Sequence, residues 1–535
     1  MVSEQLIVRN EVNKVYVAIV PPHQHNTELV KQAKAKELET LRQFETFEDR
    51  DLRDLSTEQK RKIIPSTWNV VLKDVNDKES VKARLCARGD KEVGVAKSDS
   101  PTVTRQALRL LLTMAASRKQ KVFSLDFKGA YLQGQLLDRE VYMSPPSDMR
   151  ESNPNLVWKV RKRLYGFCDS ARGWFLEFNQ TMIDLGCEPI LVDAAMYTYK
   201  DEKNNVIGMA GVHVDDVLYA GTPRFHSEVM DKMLEKYVIG RVERDFFTYT
   251  RWTLRQDDSG ITLTQGKFLD QVELDKYQVF RDLRGDDKEM LNEQLQALYR
   301  SLVGSLQWIV SVSRPDKAYH AVALASKLGK ANIADAKLGV KQLDKTVKDP
   351  QEIKFSALQD ISSCQIRAYC DSSWGKLHGC ETVNANVSFI VDKAGNANVI
   401  DWQAKKMDIP AASPLTGEAM AALDTFGKIP WIRSMLSDMT GVERMAATLV
   451  TDSKSLEETV SSCTSIRDKR AMVAVCTARR MPLKENVKIQ WCRSGSQLAD
   501  VLTKPGVNSG VLREVLSKGK LTPSHLSIEE PGIRQ

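Results

Sequence analysis

Three carboxylates in the first half of the chain stand where short apolar runs stop. Asp126 follows KVFSL, and Asp215 and Asp216 lie side by side in IGMAGVHVDDVLYAG. Adjacent acids repel one another unless a cation sits between them. Magnesium suits such a set, because it takes oxygen ligands and keeps positions open for phosphate. Two ions about 4 Å apart can activate an attacking hydroxyl and steady a leaving pyrophosphate in an in-line displacement. Asp126 and one of the paired acids would bridge them. Taken bare, Asp-Asp also reads as an ordinary polar hairpin turn.

A second acidic set occupies the last third: Asp371 in YCDSSWG, Glu418 in SPLTGEAMAAL, Asp452 in LVTDSKSL and Asp500 in QLADVLTKPG. Asp371 and Asp452 each end a predicted strand, Glu418 opens a helix, and Asp500 begins a final helical turn. Strand ends and helix starts can meet at one edge of a sheet, where four acids could hold two magnesium ions and activate water against a phosphodiester. Each acid alone also reads as a cap or a turn residue.

The elements that would position these acids are legible in outline. Residues 30–62 are dense in charge with Leu at helical intervals, which predicts a solvated helix pair. TWNVVLKD and VKARLCARG predict paired strands carrying Lys82, Arg84 and Arg88. ALRLLLTMAAS predicts a short helix, and ARGWFLEFNQTMIDLG a helix stopped by Gly186. The apolar runs around Asp215-Asp216 predict strand, tight turn, strand. Leu291, Leu295, Leu298, Leu302, Leu306 and Ile309 share one face of a helix. After a polar stretch near 345–365 come the strands QIRAYCD, VSFIVD, ATLVTD and VKIQWC with helices between them, a compact α/β domain.

Composition fits this without deciding it. The chain has 535 residues, too many for one core, with 42% hydrophobic and 27% charged residues and a net charge of +7. That mild basicity suits a polyanion partner but does not demand one. The N-terminus has no signal-peptide core, and no apolar run is long enough for a bilayer, so no membrane partner is expected. Nine cysteines stand singly without a CxxC pair, and Cys364, Cys370 and Cys380 fit no zinc spacing. His23-Gln24-His25 lacks a cysteine partner and is not read as a metal site. Asp258-Ser259-Gly260 spells an aspartic-protease triplet, but the polar approach Arg255-Gln256-Asp257 makes it a hairpin turn.

The blocks VKARLCARGD, SPTVTRQALRLLL, FSLDFKGAYLQGQLLDREVYMSPP, LYGFCDSARGWF, HVDDVLYAG and SLVGSLQWIVSVSRPD follow one order. They resemble, from Trp68 to Pro315, the reverse transcriptases of Ty1/copia LTR retrotransposon Pol polyproteins. DSSWG, EAMA, TDS and QLADVLTKP resemble the ribonuclease H domain of the same family, over Gln365 to Gly506. The resemblance implies an α+β multidomain chain: a right-hand polymerase of fingers, palm and thumb, then an α/β ribonuclease H-like domain. The expected divisions are a charged helical extension (1–64), fingers and palm (65–250), thumb and connection (251–360), a ribonuclease H-like domain (365–508) and a tail (509–535).

By that resemblance Asp126, Asp215 and Asp216 are the polymerase acids, and Asp371, Glu418, Asp452 and Asp500 the ribonuclease acids. All seven would be metal ligands, with two Mg2+ expected in each site and Mn2+ an alternative. Tyr131 falls where the family has an aromatic beside the incoming sugar. Lys82 and Arg84 would meet the triphosphate of a deoxynucleotide, although a solvated strand face reads equally well. Implied partners are an RNA template, a DNA primer, the RNA–DNA hybrid and other polyprotein parts such as integrase, protease and capsid. The implied setting is cytoplasmic virus-like particles, with nuclear entry of the product. The basic RDKRAMVAVCTARR would touch hybrid phosphates or form a charged helix face.

Several positions depart from the family pattern. His213 replaces a tyrosine, and Thr416 replaces the first of two acids before Glu418. Phe167-Cys168-Asp169-Ser170-Ala171 replaces a lysine-containing block, which predicts weakened phosphate binding. Arg251 replaces a turn glycine. These changes keep open two other readings, an inert remnant or a host protein that reuses the fold to bind nucleic acid. With no zinc module found, the chain is expected to be the C-terminal part of a longer polyprotein or a trimmed copy.

Overall fold

Five short strands between residues 47 and 162 pair in the order Phe47–Asp51, Leu156–Lys162, Leu136–Ser144, Ile64–Leu72, Val81–Ala87. The computed structural model describes residues 20–21, 25, 27–72, 81–92, 94, 98–377, 381–408, 411–462 and 469–526. His23, Gln24, Cys380 and part of the basic 467–480 stretch lie outside the described residues.

The expected helix pair over 30–62 is corrected. Helix Glu28–Gln43 forms, but FEDRD is an edge strand, followed only by the short helix Thr57–Arg61. The strand is hidden in sequence because four of its five residues are charged and only Phe47 turns inward, stacking on Trp158 with ring centroids 4.4 Å apart. This part of the expected N-terminal extension therefore belongs to the first sheet.

A six-stranded antiparallel sheet follows, ordered Ile239–Arg244, Val122–Phe127, Asp216–Gly221, Val206–His213, Asp193–Lys200, Cys187–Ile190. Helices Arg105–Ser117 and Ser170–Asp184 share its core. The first starts at Thr104, whose side chain accepts from the Ala107 amide, and ten of its thirteen residues are buried. The second ends as expected, with Gly186 at φ 85° and its amide bonded to the Ile183 carbonyl.

A four-stranded sheet, Phe246–Tyr249, Trp252–Asp257, Gly260–Thr264 and Ile353–Phe355, leads into helices Glu293–Val312, Ala318–Ala325 and Ile333–Lys348. Asn292 caps the first of these by accepting from the Leu295 amide. The expected stripe is inward-facing, with Leu302, Leu306 and Ile309 fully buried. The Asp258-Ser259 turn is a hairpin loop, its Ser259 amide donating to Asp257 at 2.8 Å.

The last sheet runs Ala397–Lys406, Glu381–Val391, Gln365–Leu377, Ala446–Thr451, Val487–Trp491; its first three strands are antiparallel and the last two are added in parallel. Helix Pro414–Thr440 packs on it. This is the mixed sheet of a ribonuclease H-like domain. The expected tail is corrected as well: helix Gly510–Lys518 buries Leu512, Val515 and Leu516 and packs beside Ile353–Phe355. Among the described residues no helix is long and apolar enough to cross a membrane.

Candidate active sites

Strand register brings the first acidic set together. Asp126 is the cross-strand partner of Asp216 on one side and of Arg241 on the other. Asp215 lies in the two-residue loop that joins His213 to Asp216. Val214 closes that loop at φ 59°, a left-handed conformation that a β-branched residue adopts only under constraint. The constraint is visible: Trp174 donates to the Val214 carbonyl at 2.7 Å, and the Phe127 amide to that of Asp215 at 3.0 Å. Gly240 makes room for the acid, since a Cβ there would lie 2.4 Å from Asp126 Oδ2.

The carboxylates strain against one another. Burial, then Asp215 and Asp126, pushes Asp216 up to about 7; burial and Asp215 also raise Asp126, against the pull of Arg241, Lys82 and Arg84. An oxygen-only donor set under this mutual repulsion is the kind a divalent cation takes, although Asp126, Asp215 and Asp216 do not all bring carboxylate oxygens within 4.8 Å of one another in the metal-free structure.

The expected nucleotide-side residues converge on the same place. Lys82 and Arg84 project from strand Val81–Ala87 and act electrostatically on Asp126. The Arg84 guanidinium lies 4.5 Å from the centroid of Tyr165, whose ring meets Tyr131 edge-on at 5.3 Å. Burial, then the charge of Asp215, raises the Tyr131 hydroxyl. Tyr165 is the member of this wall that the sequence did not single out.

The departures from the family pattern are absorbed locally. Asp169, expected to weaken a phosphate site, has its charge taken up by neighbouring arginines. Asp169 is buried and takes Arg139 at 2.9 and 3.1 Å and Arg163 at 2.9 Å, while Arg139 also binds Glu92. Burial opposes its charge, but the two arginines hold its carboxyl below the ordinary range. Thr250 and Arg251 form a two-residue hairpin loop at φ 42° and 69°, and Arg251 rests over Phe268 and Trp308.

The second acidic set also assembles. Asp371, Glu418 and Asp452 each bring a carboxylate oxygen within 4.8 Å of the other two, the one such group of three among the described residues. Asp371 lies inside strand Gln365–Leu377 rather than at its end, and is fully buried. Glu418 stands in the first turns of helix Pro414–Thr440, capped by Ser413. Asp452 follows strand Ala446–Thr451 and accepts from the Ser494 hydroxyl at 2.8 Å.

Burial, then Asp371 and Asp452, pushes Glu418 up to about 9, and its Oε2 is buried without a hydrogen-bond partner. That orphaned oxygen among acids fits a metal ligand. Asp500 opens helix Asp500–Thr503 but stands outside the tight trio. Lys504 lies between it and Asp371, bonded to Asp500 Oδ1 and 3.3 Å from Asp371 Oδ1.

Residues 51–280 match the family model described as reverse transcriptase (RNA-dependent DNA polymerase). A retrovirus-related Pol polyprotein from transposon RE1 of Arabidopsis thaliana is 24% identical over 442 residues, 79% of this chain and 29% of that protein. One from transposon TNT 1-94 of Nicotiana tabacum is 25% identical over 539 residues, 94% of this chain and 38% of that protein. Residues 51–280 thus carry a reverse transcriptase family match, and most of the chain is similar to copia-type Pol polyproteins. The chain spans less than two fifths of the length of either relative. Its fold is also that of a foamy viral protease-reverse transcriptase solved in complex with double-stranded DNA, with a TM-score of 0.52 at 10% identity over 88% of this chain and 70% of that one.

Four residues of the two centres, Arg241, Tyr165, Thr503 and Lys504, were not legible as site residues in the sequence. Lys504 stands in the QLADVLTKP block and could have been noticed four residues after Asp500, one helical turn away. Arg241 had no local signal, because only strand pairing sets it beside Asp126.

Proposed function

We propose that this chain is an RNA-directed DNA polymerase joined to a ribonuclease that cleaves RNA in RNA–DNA hybrids. The observation that carries the reading is the pairing of Asp126 with Asp216 beside the Asp215 turn, facing a wall of Lys82, Arg84 and Tyr131.

Asp126, Asp215 and Asp216 would hold magnesium, which when bound supplies Lewis-acid stabilisation of phosphoryl charge and makes a bound hydroxyl more acidic. Lys82 and Arg84 neutralise the triphosphate, with Arg84 steadied on Tyr165. The Tyr131 ring lines the sugar position and leaves no room for a 2′-hydroxyl, which selects deoxynucleotides. In the second centre Asp371, Glu418, Asp452 and Asp500 serve the hydrolysis of the RNA strand. The basic balance of the chain supports binding to template, primer and hybrid.

Against the inert-remnant reading, the ion pairs of Asp169 and the closed Arg251 hairpin support an intact fold around the site. Primer extension on poly(rA)/oligo(dT) with magnesium tests the proposal. Extension by the wild type, its loss in Asp216→Ala with hybrid cleavage kept, and the converse in Asp452→Asn are expected. Folded wild-type protein that extends no primer would overturn the polymerase assignment.

A further inference from the structure

Lys504 occupies a position that surface lysines do not. Its side chain is 24% exposed, and its Nζ is shared between Asp371 Oδ1 and Asp500 Oδ1. Thr503, one residue earlier, donates its hydroxyl to the other oxygen of Asp371. Both oxygens of the most deeply buried acid of the centre are therefore engaged by consecutive side chains of one turn. That turn is itself fixed: Gln497 donates to the Cys370 carbonyl at 3.0 Å, and its side-chain oxygen accepts from the Ala499 amide at 3.1 Å.

The centre is consequently asymmetric. Between Asp371 and Asp500 a positive charge is already built in. Lys504 is hydrogen-bonded to neither Glu418 nor Asp452 and acts on Glu418 only through space, and the orphaned Glu418 oxygen belongs to the trio. We infer that Lys504 is a resident counter-cation that bridges Asp371 and Asp500 and sets this centre to take one divalent ion tightly, at Asp371, Glu418 and Asp452. A second ion held by Asp371 and Asp500 would have to evict Nζ from two carboxylates in a largely water-excluded site, where such pairs resist separation. Lys504 is thus a positioning and metal-selecting residue. The inference rests on reading this centre as a hybrid ribonuclease.

The test counts manganese by electron paramagnetic resonance and titration calorimetry on the full chain carrying Asp215→Asn and Asp216→Asn, which silences the other centre. The parent is expected to bind one Mn2+ tightly. Lys504→Met should tighten a second equivalent by about tenfold or more, since removing the ammonium leaves two uncompensated acids. Lys504→Arg should restore the one-ion count. If the methionine variant does not fold, Lys504→Gln, which keeps a donor without the charge, gives the same readout. A parent that binds two equivalents equally tightly, or folded neutral variants whose stoichiometry and Kd match the parent, would overturn the inference. Asp371→Asn plus Glu418→Gln separates the two levels. Loss of the tight equivalent in that variant supports the centre itself, and an unchanged count sinks the centre whatever Lys504 does.

Discussion

Asp126 and Asp216 are direct partners across two antiparallel strands, so their carboxyl groups cannot be farther apart than neighbouring strands allow. In the metal-free protein this juxtaposition is unfavourable, and burial together with the neighbouring acids raises Asp216 to about 7. Asp216→Asn should therefore abolish primer extension while stabilising the metal-free fold by roughly 1–2 kcal/mol. Thermal melts in EDTA read this directly; a lower melting temperature in the variant would contradict the repulsion.

Asp169 is expected to behave as a structural acid. Replacing it with Asn leaves the buried ends of Arg139 and Arg163 without their shared carboxylate, at a cost of about 2–4 kcal/mol. Urea unfolding measures that loss. If Asp169→Asn instead left stability unchanged and lowered the KM for deoxynucleotide, the acid would belong to the nucleotide pocket.

Arg251 stores conformational strain. Arg251→Gly relieves a left-handed backbone at about 1 kcal/mol, whereas Arg251→Ala keeps the strain and loses the contacts over Phe268 and Trp308. Both variants lose those contacts, so the glycine variant should melt above the alanine variant by the strain it relieves, and equal melting temperatures would argue against strain at this position.

Arg314 and Asp316 form a pair whose side chains are 1% and 0% exposed, with Nε to Oδ1 at 2.8 Å. Burial works to raise the Asp316 pKa, but the guanidinium wins and lowers it. Because the folded value is the lower one, the stabilisation is fully present above the unfolded carboxylate range, near pH 4, and is lost as pH falls through the folded value. Arg314→Met should cost about 3–5 kcal/mol at pH 7, with the gap from wild type narrowing on acidification. Denaturation curves between pH 7 and pH 3 are the check, and a gap that widened would reverse the sign assigned here.

What could be read from the chain followed local signals. The Asp215-Asp216 hairpin, the Asn292-capped helix and the end at Gly186 each announce themselves within a few residues. The strand Ala397–Lys406 escaped because its inner half carries Asp401. That acid is tolerable only beside Lys428, at 2.6 Å and twenty-seven residues away in sequence, and Gln106, at 2.8 Å from another domain. FEDRD escaped for the opposite reason, since an edge strand may carry charge wherever it faces water. The ion pairs of Asp169 and of Lys504 were overlooked because the partners come from other elements or from across the acidic centre, which spacing alone does not reveal.

Arg109 shows what such distant pairings accomplish. Its guanidinium, held at about 9 by burial, lies 3.7 Å from the ring centroid of Trp402 and donates to the carbonyls of Ile400 and Ser311. Helix Arg105–Ser117, helix Glu293–Val312 and the outermost strand of the last sheet therefore meet on one side chain. Were both centres to act as proposed, such a joint would serve as a ruler, and a duplex running across both clefts would be cut at a constant number of base pairs behind the growing primer end. Loosening the joint would blur that spacing before it slowed either reaction.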